Sequence, residues 1–445
     1  MKFNHISAIL ASAPLLARAA TAGDLTVLTM NVAGLPAILN NNDVPGDKAT
    51  NAASIGSLFS KYGYDIVHAQ EDFNYHASLY STDNHLYRTA TSGGVPFGDG
   101  LNTLSDYSWI DFERVKWATC SDASSNDCLT PKGFTFMRIA LSNSASTAVY
   151  VDFYNLHADA GTEPGDLTAR TANLRQVAAA IASRSVGNAV LVFGDTNSRY
   201  SRTGDVGVRE LLATAGPGLT DAWVQLERGG TVPTAESLCS NPSTSDYCET
   251  VDKVFYRSSP LVSLAATDFR YVSDKFLQAD GNILSDHNPI LVNLTWSTSQ
   301  SKLQQSRFMG GPHGTWFSDV PTLAAKAKTN VTAITLRGGS RLDAISATLK
   351  DRTVLSHGGQ GGTASSLTLA DGEYWTAATV CQGQKSGRTR IFHLSATTSL
   401  GRTLASGTAT SDCGDFAAPA GWQIVGFLGR DGDEIDQLAF VYGPR

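Results

Sequence analysis

Short runs of apolar residues, alternating or continuous, punctuate the chain from Leu25 to about Trp296, with helical stretches and long polar loops between them. Side chains two apart share one face of a strand, and on that basis the pattern predicts strands over Thr26–Asn31, Asp65–Gln70, Thr135–Ser142, Ala148–Asn155, Ala189–Phe193, Lys253–Arg257 and Ile290–Thr295. Leu174, Val177, Ala178 and Ile181 fall at helical spacing, which predicts a helix over Leu167–Arg184. Strands alternating with helices point to a layered α/β domain. Ser297–Ser306, STSQSKLQQS, carries no core-forming pattern and is expected to be an interdomain linker. Glycine pairs then recur at Gly310-Gly311, Gly338-Gly339, Gly358-Gly359 and Gly361-Gly362, between alternating strands such as Ala333–Leu336 and Leu367–Leu369. This second region is expected to be all-β, with no helix of useful length and an ordinary domain size of about 140 residues.

The 445-residue length fits two or three domains. A composition of 42% hydrophobic and 17% charged residues is that of a soluble globular protein, and no apolar run approaches the roughly 20 residues needed to cross a bilayer. At the N-terminus, Lys2 and His5 precede the apolar run Ile6–Leu16, followed by the small residues of 17–22. That reads as a signal peptide over 1–19, cleaved somewhere in 19–23, and hence as secretion. Catalytic, linker and C-terminal segments are then expected over 24–296, 297–306 and 307–445. Six cysteines fit an oxidising compartment: Cys120 with Cys128, Cys239 with Cys248 and Cys381 with Cys413 are natural local pairs, although fifteen connectivities are formally possible. A net charge of −7 argues against broad coating of nucleic acid, yet leaves room for a nuclease that grips a few phosphates.

Polar clusters stand at the ends of the apolar runs: Asn31, Glu71, His157, Asp195 with Asn197, and Asp286 with His287. Carboxylates, imidazoles and amides are what a site needs to hold a hard cation, contact phosphate and activate water. Glu71 is the expected cation anchor. Asp195 and Asn197, two apart, share a face if extended geometry persists. Asp286 and His287 are adjacent and point to opposite sides, so another carboxylate must hold the imidazole, and Asp252, before the apolar Val254–Tyr256, is the natural one.

In this order the clusters resemble the motifs of the endonuclease/exonuclease/phosphatase superfamily over roughly Leu25–Trp296. The resemblance implies a four-layered α/β sandwich with two sheets between helices, and Mg2+ (or Mn2+ or Ca2+) near Glu71 and Asp286, with Asn31 beside it. It also implies water activation and proton transfer by Asp195 and the Asp252–His287 pair, and phosphate contacts from Asn31, His157 and Asn197. The stretch from His157 to Gly161, with Arg170 and the NLRQ of 173–176, is similar to the sphingomyelinase branch, which implies a phospholipid head group as substrate; a secreted endonuclease and a non-catalytic carbohydrate-binding protein are the alternatives. Phe73–His76 and Tyr107–Trp109 are the candidate segments for peripheral membrane contact.

The C-terminal region, with FMGGPHG at 308–314, HGGQGG at 357–362, DGEY at 371–374 and GFLGRDGDEID at 426–436, resembles jacalin-like lectins. That implies a β-prism in which Gly311, Gly432 and the backbone of Asp433 and Glu434 approach a sugar, while the Asp436 carboxylate takes its hydroxyls.

Overall fold

The computed structural model describes residues 20–40, 42–124, 127–144, 146–299 and 302–445; the signal segment expected at 1–19 lies outside them. The N-terminal region comprises β1 (Ala22–Asn31), α1 (Lys48–Tyr62), β2 (Ile66–Gln70), α2 (His76–Thr82), β3 (Tyr87–Arg88), β4 (Asn102–Ser105), β5 (Trp109–Lys116), β6 (Gly133–Asn143), β7 (Ala148–His157), α3 (Pro164–Arg184), β8 (Ala189–Asp195), α4 (Val206–Leu212), β9 (Thr220–Asp221), α5 (Ala222–Glu227), β10 (Asp252–Arg257), β11 (Val262–Tyr271) and β12 (Ile290–Thr298). One sheet has the order β11-β12-β1-β2-β4-β3; the other runs β5-β6-β7-β8-β10-β9.

Period-two alternation explains the layers. On β1, Leu28 and Met30 join Ile55 and Phe59 of α1 in one apolar cluster, whereas Leu25 and Val27 face the second sheet's core with Phe153 and Val192. Leu174, Val177 and Ile181 of α3 pack on the other side of that core. The result is helices outside two sheets. His68 of β2 lies between the sheets, stacked on Phe193 at 3.6 Å with Nδ1 3.1 Å from the Phe193 carbonyl. Burial drives its pKa down to about 3, so the ring is neutral.

Register assembles the site. β1 runs parallel to β2, with Asn31 opposite Gln70, and β7 runs parallel to β8, with His157 opposite Asp195. β10 is antiparallel to β8 and starts opposite its end, pairing Asp252 with Asp195. Strand ends carrying polar groups therefore meet at one edge of the sandwich.

The C-terminal region is built from β13 (Gln304–Gln305), β14 (Met309–Gly310), β15 (Thr315–Ser318), a short α6 (Val320–Ala324), β16 (Val331–Gly338), β17 (Leu342–Leu349), β18 (Val354–Gly358), β19 (Thr363–Thr368), β20 (Trp375–Lys385), β21 (Arg388–Thr398), β22 (Thr403–Gly407), β23 (Asp412–Ala417), β24 (Trp422–Asp431) and β25 (Ile435–Pro444). Two four-stranded sheets, β18-β17-β16-β19 and β22-β21-β20-β23, pack with the β15-β24-β25 strands. Trp375, Phe427 and Phe440 meet edge to face at 5.8–6.4 Å in the shared core. This is the all-β architecture expected for a β-prism.

The segment expected as a linker behaves differently. β12 continues to Thr298, Leu303 is buried, and Gln305 pairs with both Val441 and Ala148. Backbone pairing needs no apolar side chains, which is why the polar sequence gave no sign of it. Beside this strand, the wholly buried Arg138 reaches Asp152 through Nε and Asp111 through Nη1, each at 2.8 Å, and its guanidinium lies 3.7 Å from the Trp316 ring centroid. Asp111 also accepts from Gln437 Nε2 at 2.8 Å, and Trp316 Nε1 donates to the Val186 carbonyl. The three local cysteine pairs are disulfides.

Candidate active site

Asp195 is the hub of the edge described above. Its Oδ2 lies 3.3 Å from Asn31 Nδ2, 3.4 Å from His157 Nε2 and 3.8 Å from His287 Nε2. Its Oδ1 accepts from the Asn197 backbone N–H at 2.9 Å. Burial, with the Asp252 charge adding to it, pushes the Asp195 carboxyl up to about 6.

His287 turns away from Asp286 and places Nδ1 2.8 Å from Asp252 Oδ2. Burial opposes charge on this imidazole, but the carboxylates of Asp252 and Asp195 outweigh it and raise its pKa well above the ordinary range. The Ser285 hydroxyl holds the turn, donating to the Asn31 carbonyl at 2.6 Å and accepting from the His287 N–H. Asp195, Asp252 and His287 offer ligand-type atoms within 4.8 Å of one another. The His287 Nδ1–Asp252 Oδ2 bond leaves Nε2 facing Asp195.

The cation-type oxygens lie elsewhere. Glu71 follows β2 with φ 55° and is buried, which raises its pKa, with the Asp286 charge reinforcing the shift. Asn42 Nδ2 is 3.5 Å from Glu71 Oε2 and 3.2 Å from Asp286 Oδ2, bridging the two carboxylates. Asn42 is in turn held by Lys48 Nζ, 2.7 Å from Asn42 Oδ1 and within 2.8–2.9 Å of the carbonyls of Ala33, Leu35 and Asn40.

His157 is buried and its pKa is lowered by desolvation, then by Lys132 and His287. Lys132 Nζ sits 3.1 Å from His157 Nε2 and pairs with Asp127. Asn197 departs from expectation: with φ 48° the backbone is left-handed, and Nδ2 donates to the Ala158 carbonyl at 3.0 Å, so extended geometry does not persist after Asp195. Lys132, Asn42 and Lys48 were not anticipated. A lone lysine before the apolar run GFTFMRIAL was a usable signal for Lys132; the other two depend on a loop conformation that no spacing encodes. A cavity of about 290 Å³ opens on the site, and Asp252, Asp286, His287, Arg199 and Arg202 are among the residues that line it.

In the C-terminal region the expected sugar-binding groups are adjacent but engaged. Gly311 N donates to the Asp436 carbonyl at 2.9 Å and Gly432 N to the Glu434 carbonyl at 3.1 Å. The Asp436 carboxylate pairs with Arg390, and that of Glu434 with Arg341, Lys385 and Arg390. Asp433 is exposed at the tip of the β24–β25 turn.

Comparison with known proteins divides the chain in the same way. Residues 46–250 match the Endonuclease/Exonuclease/phosphatase family 2, and residues 306–441 match the Jacalin-like lectin domain. A protein named Sphingomyelinase from Mycobacterium tuberculosis is 39% identical over 277 residues, covering 61% of this chain and 52% of that protein. The chain thus spans about half the length of that curated relative. Among solved structures, Malaysian banana lectin is 25% identical, covering 32% of this chain and 98% of its own, with a TM-score of 0.28. Beta toxin from Staphylococcus aureus is 17% identical, covering 60% of this chain and 99% of its own, with a TM-score of 0.42.

Proposed function

Because the chain joins an endonuclease/exonuclease/phosphatase domain to a jacalin-like lectin domain, we propose that it is a secreted, divalent-cation-dependent phosphodiesterase that cleaves a phospholipid head group while its C-terminal domain binds carbohydrate. The observation that carries the chemistry is the Asp195–His287–Asp252 trio beside the Glu71–Asp286 carboxylates. Both carboxylates of the second set lack a lysine or arginine ion pair among the described residues, and only an amide bridges them. Hard oxygen donors with no cation in direct contact suit Mg2+, Mn2+ or Ca2+, with Glu71, Asp286 and Asn31 as the holding residues. Such an ion, when bound, supplies positive charge to phosphoryl oxygens and acidifies water.

The chain's own groups do the rest. Asp195 orients the attacking water and receives its proton, while His287, charged and fixed by Asp252 through Nδ1, gives its Nε2 proton to the departing alkoxide and is recharged from Asp195. Asn31 and Lys132 offer N–H donors to the anionic oxygens, His157 Nε2 holds Lys132 in place by accepting from it, and Asn197 steadies Asp195 through its backbone amide. Glu71→Gln is expected to weaken Mn2+ binding at least tenfold, since even a partner one shell further out is typically worth 10–100-fold. Electron paramagnetic resonance titration of free Mn2+ checks this, and unchanged affinity in the variant would remove Glu71 from the cation site.

Choice of a lipid is supported by the 39% identity to a protein named Sphingomyelinase and by one surface. Phe73 is buried and Tyr107 and Trp109 are partly covered, so the segments expected at a membrane do not form one. Instead Ile38 and Phe97 are 93% and 82% exposed, with Leu39 also exposed. Their loops are tied to the residues after Glu71: Asn74 N donates to the Gly34 carbonyl, Val95 N donates to Asn74 Oδ1, and Ala37 N donates to the Tyr75 hydroxyl. Large apolar groups beside an active site mark a surface built to meet something apolar. An Ile38→Ser, Phe97→Ser variant is expected to lose roughly tenfold or more in hydrolysis of sphingomyelin vesicles, given about 1.5–3 kcal/mol for each buried side chain, while hydrolysing a water-soluble short-chain analogue normally. Equal losses on both substrates would sink the membrane role. Parallel assay of sphingomyelin, phosphatidylcholine, DNA and inositol phosphates tests the substrate class, and turnover of DNA alone would replace the lipid by a nucleic acid.

A further inference from the structure

We infer that the C-terminal pocket selects a saccharide bearing a carboxylate, with Arg388 and Arg390 as its specificity-determining residues; this rests on the carbohydrate-binding role proposed above. A neutral hexose would need free backbone N–H donors and a free carboxylate acceptor. The Gly311 and Gly432 amides are already spent on carbonyls within the pocket's own turns, which leaves the backbone of Asp433 and Glu434 as the donors and makes the carboxylate acceptor the group in short supply. Asp436 and Glu434 are 2% and 3% exposed, and both carboxylates are committed to cations, Asp436 to Arg390 and Glu434 to Arg341, Lys385 and Arg390. For a sugar hydroxyl to take the place of Arg390 on Asp436 it would strip a largely buried guanidinium of one of its two carboxylates and leave it sharing Glu434 with Arg341 and Lys385, which costs more than a neutral hydrogen bond returns.

What the pocket still presents outward is positive. Three cations serve two buried carboxylates, and Arg388, exposed where β21 leaves its hairpin, has no ion pair among the described residues. His313, in the same loop as Gly311, reports the local field. Burial lowers its pKa, and Arg388, Arg390 and Arg430 lower it further, with no carboxylate acting against them. Of the acids nearby, Asp343 lies against Gly361 on the other side, and Asp412 is held by Gln382 Nε2 at 2.8 Å. A sugar carboxylate over the Gly311–His313 side would complete the charge balance of Arg388 and Arg390 without disturbing the buried pairs.

Calorimetric titration of the full-length protein with trigalacturonate, its fully methyl-esterified form and methyl α-mannoside tests this directly, because the ester keeps the sugar and removes only the charge. The acid is expected to bind at least tenfold tighter than the ester, about the worth of one charge-assisted hydrogen bond, with no response to the mannoside. Arg388→Ala should weaken binding of the acid roughly tenfold and leave the unfolding midpoint and phosphodiesterase rate unchanged. Arg390→Ala should lose the acid and gain the mannoside by freeing Asp436; if that variant does not fold, Arg388→Ala decides. Equal binding of acid and ester, or binding of the mannoside by the wild-type protein, overturns the selectivity and leaves a lectin. Absence of binding to all three overturns both the selectivity and the carbohydrate-binding role.

Discussion

Replacing His287 with alanine is expected to lower turnover by about three orders of magnitude, within the 10²–10⁴ range typical of a positioned proton-transfer group. Its Nε2 is 3.8 Å from Asp195 and its Nδ1 is fixed at 2.8 Å by Asp252, so alanine removes the one imidazole that links the two carboxylates. Asp252→Asn should fall nearly as far for a different reason: an amide can still occupy the space but cannot stabilise the charged imidazole. Steady-state rates on a soluble phosphodiester, with circular dichroism to verify folding, measure both. A folded His287→Ala enzyme working within tenfold of the wild type would remove His287 from the mechanism. The Asp252→Asn variant further separates charge from packing, since its side chain keeps the same shape.

Arg138→Ala is expected to destabilise the protein by about 3–5 kcal/mol, the usual consequence of stripping one partner from a buried charge network. Two wholly buried carboxylates, Asp111 and Asp152, would lose the guanidinium between them, and Trp316 would lose the cation on its face. Because Asp111 also holds Gln437 of β25, the damage reaches both regions. Urea unfolding should show a large drop in midpoint with the N- and C-terminal regions still unfolding together. A loss under 1 kcal/mol would mean that the network contributes little.

The sequence made the layers readable where one rule dominated. In β1, Leu25 and Val27 alternate with Leu28 and Met30, and both faces proved to be cores; α3 announced itself through Leu174, Val177 and Ile181. By contrast α1, KATNAASIGSLFSKY, is made largely of small and polar residues, and the packing it achieves depends on Gly56 lying against Leu79 of α2, where a Cβ would be 2.1 Å from the carbonyl. Such an approach depends on the partner helix, which local pattern does not describe. In the candidate site, the polar ends of strands stood out because charge at the end of an apolar run is conspicuous. Asp252 could be reasoned from the need of His287 for a carboxylate. Asn42 lies in a loop, fixed by Lys48 at the start of α1 and by Asp286 far along the chain, and local pattern describes neither contact. The turned conformation at Asn197 likewise comes from its bond to Ala158, 39 positions away.

Gln305, paired on one side with Val441 and on the other with Ala148, removes the slack that a tethered lectin would have. Loosely joined modules raise each other's effective concentration over a broad volume, whereas rigidly joined ones do so at a single geometry and lose all benefit elsewhere. On the proposed function, a seam of this kind makes the molecule a gauge: a glycan held by one end sets the height and tilt at which the other end meets its phosphoester. Carriers of the wrong stature would then hold the catalytic groups away from the phosphoester, so that on the proposed function the distance between sugar and phosphoester becomes a selection criterion alongside their chemistry.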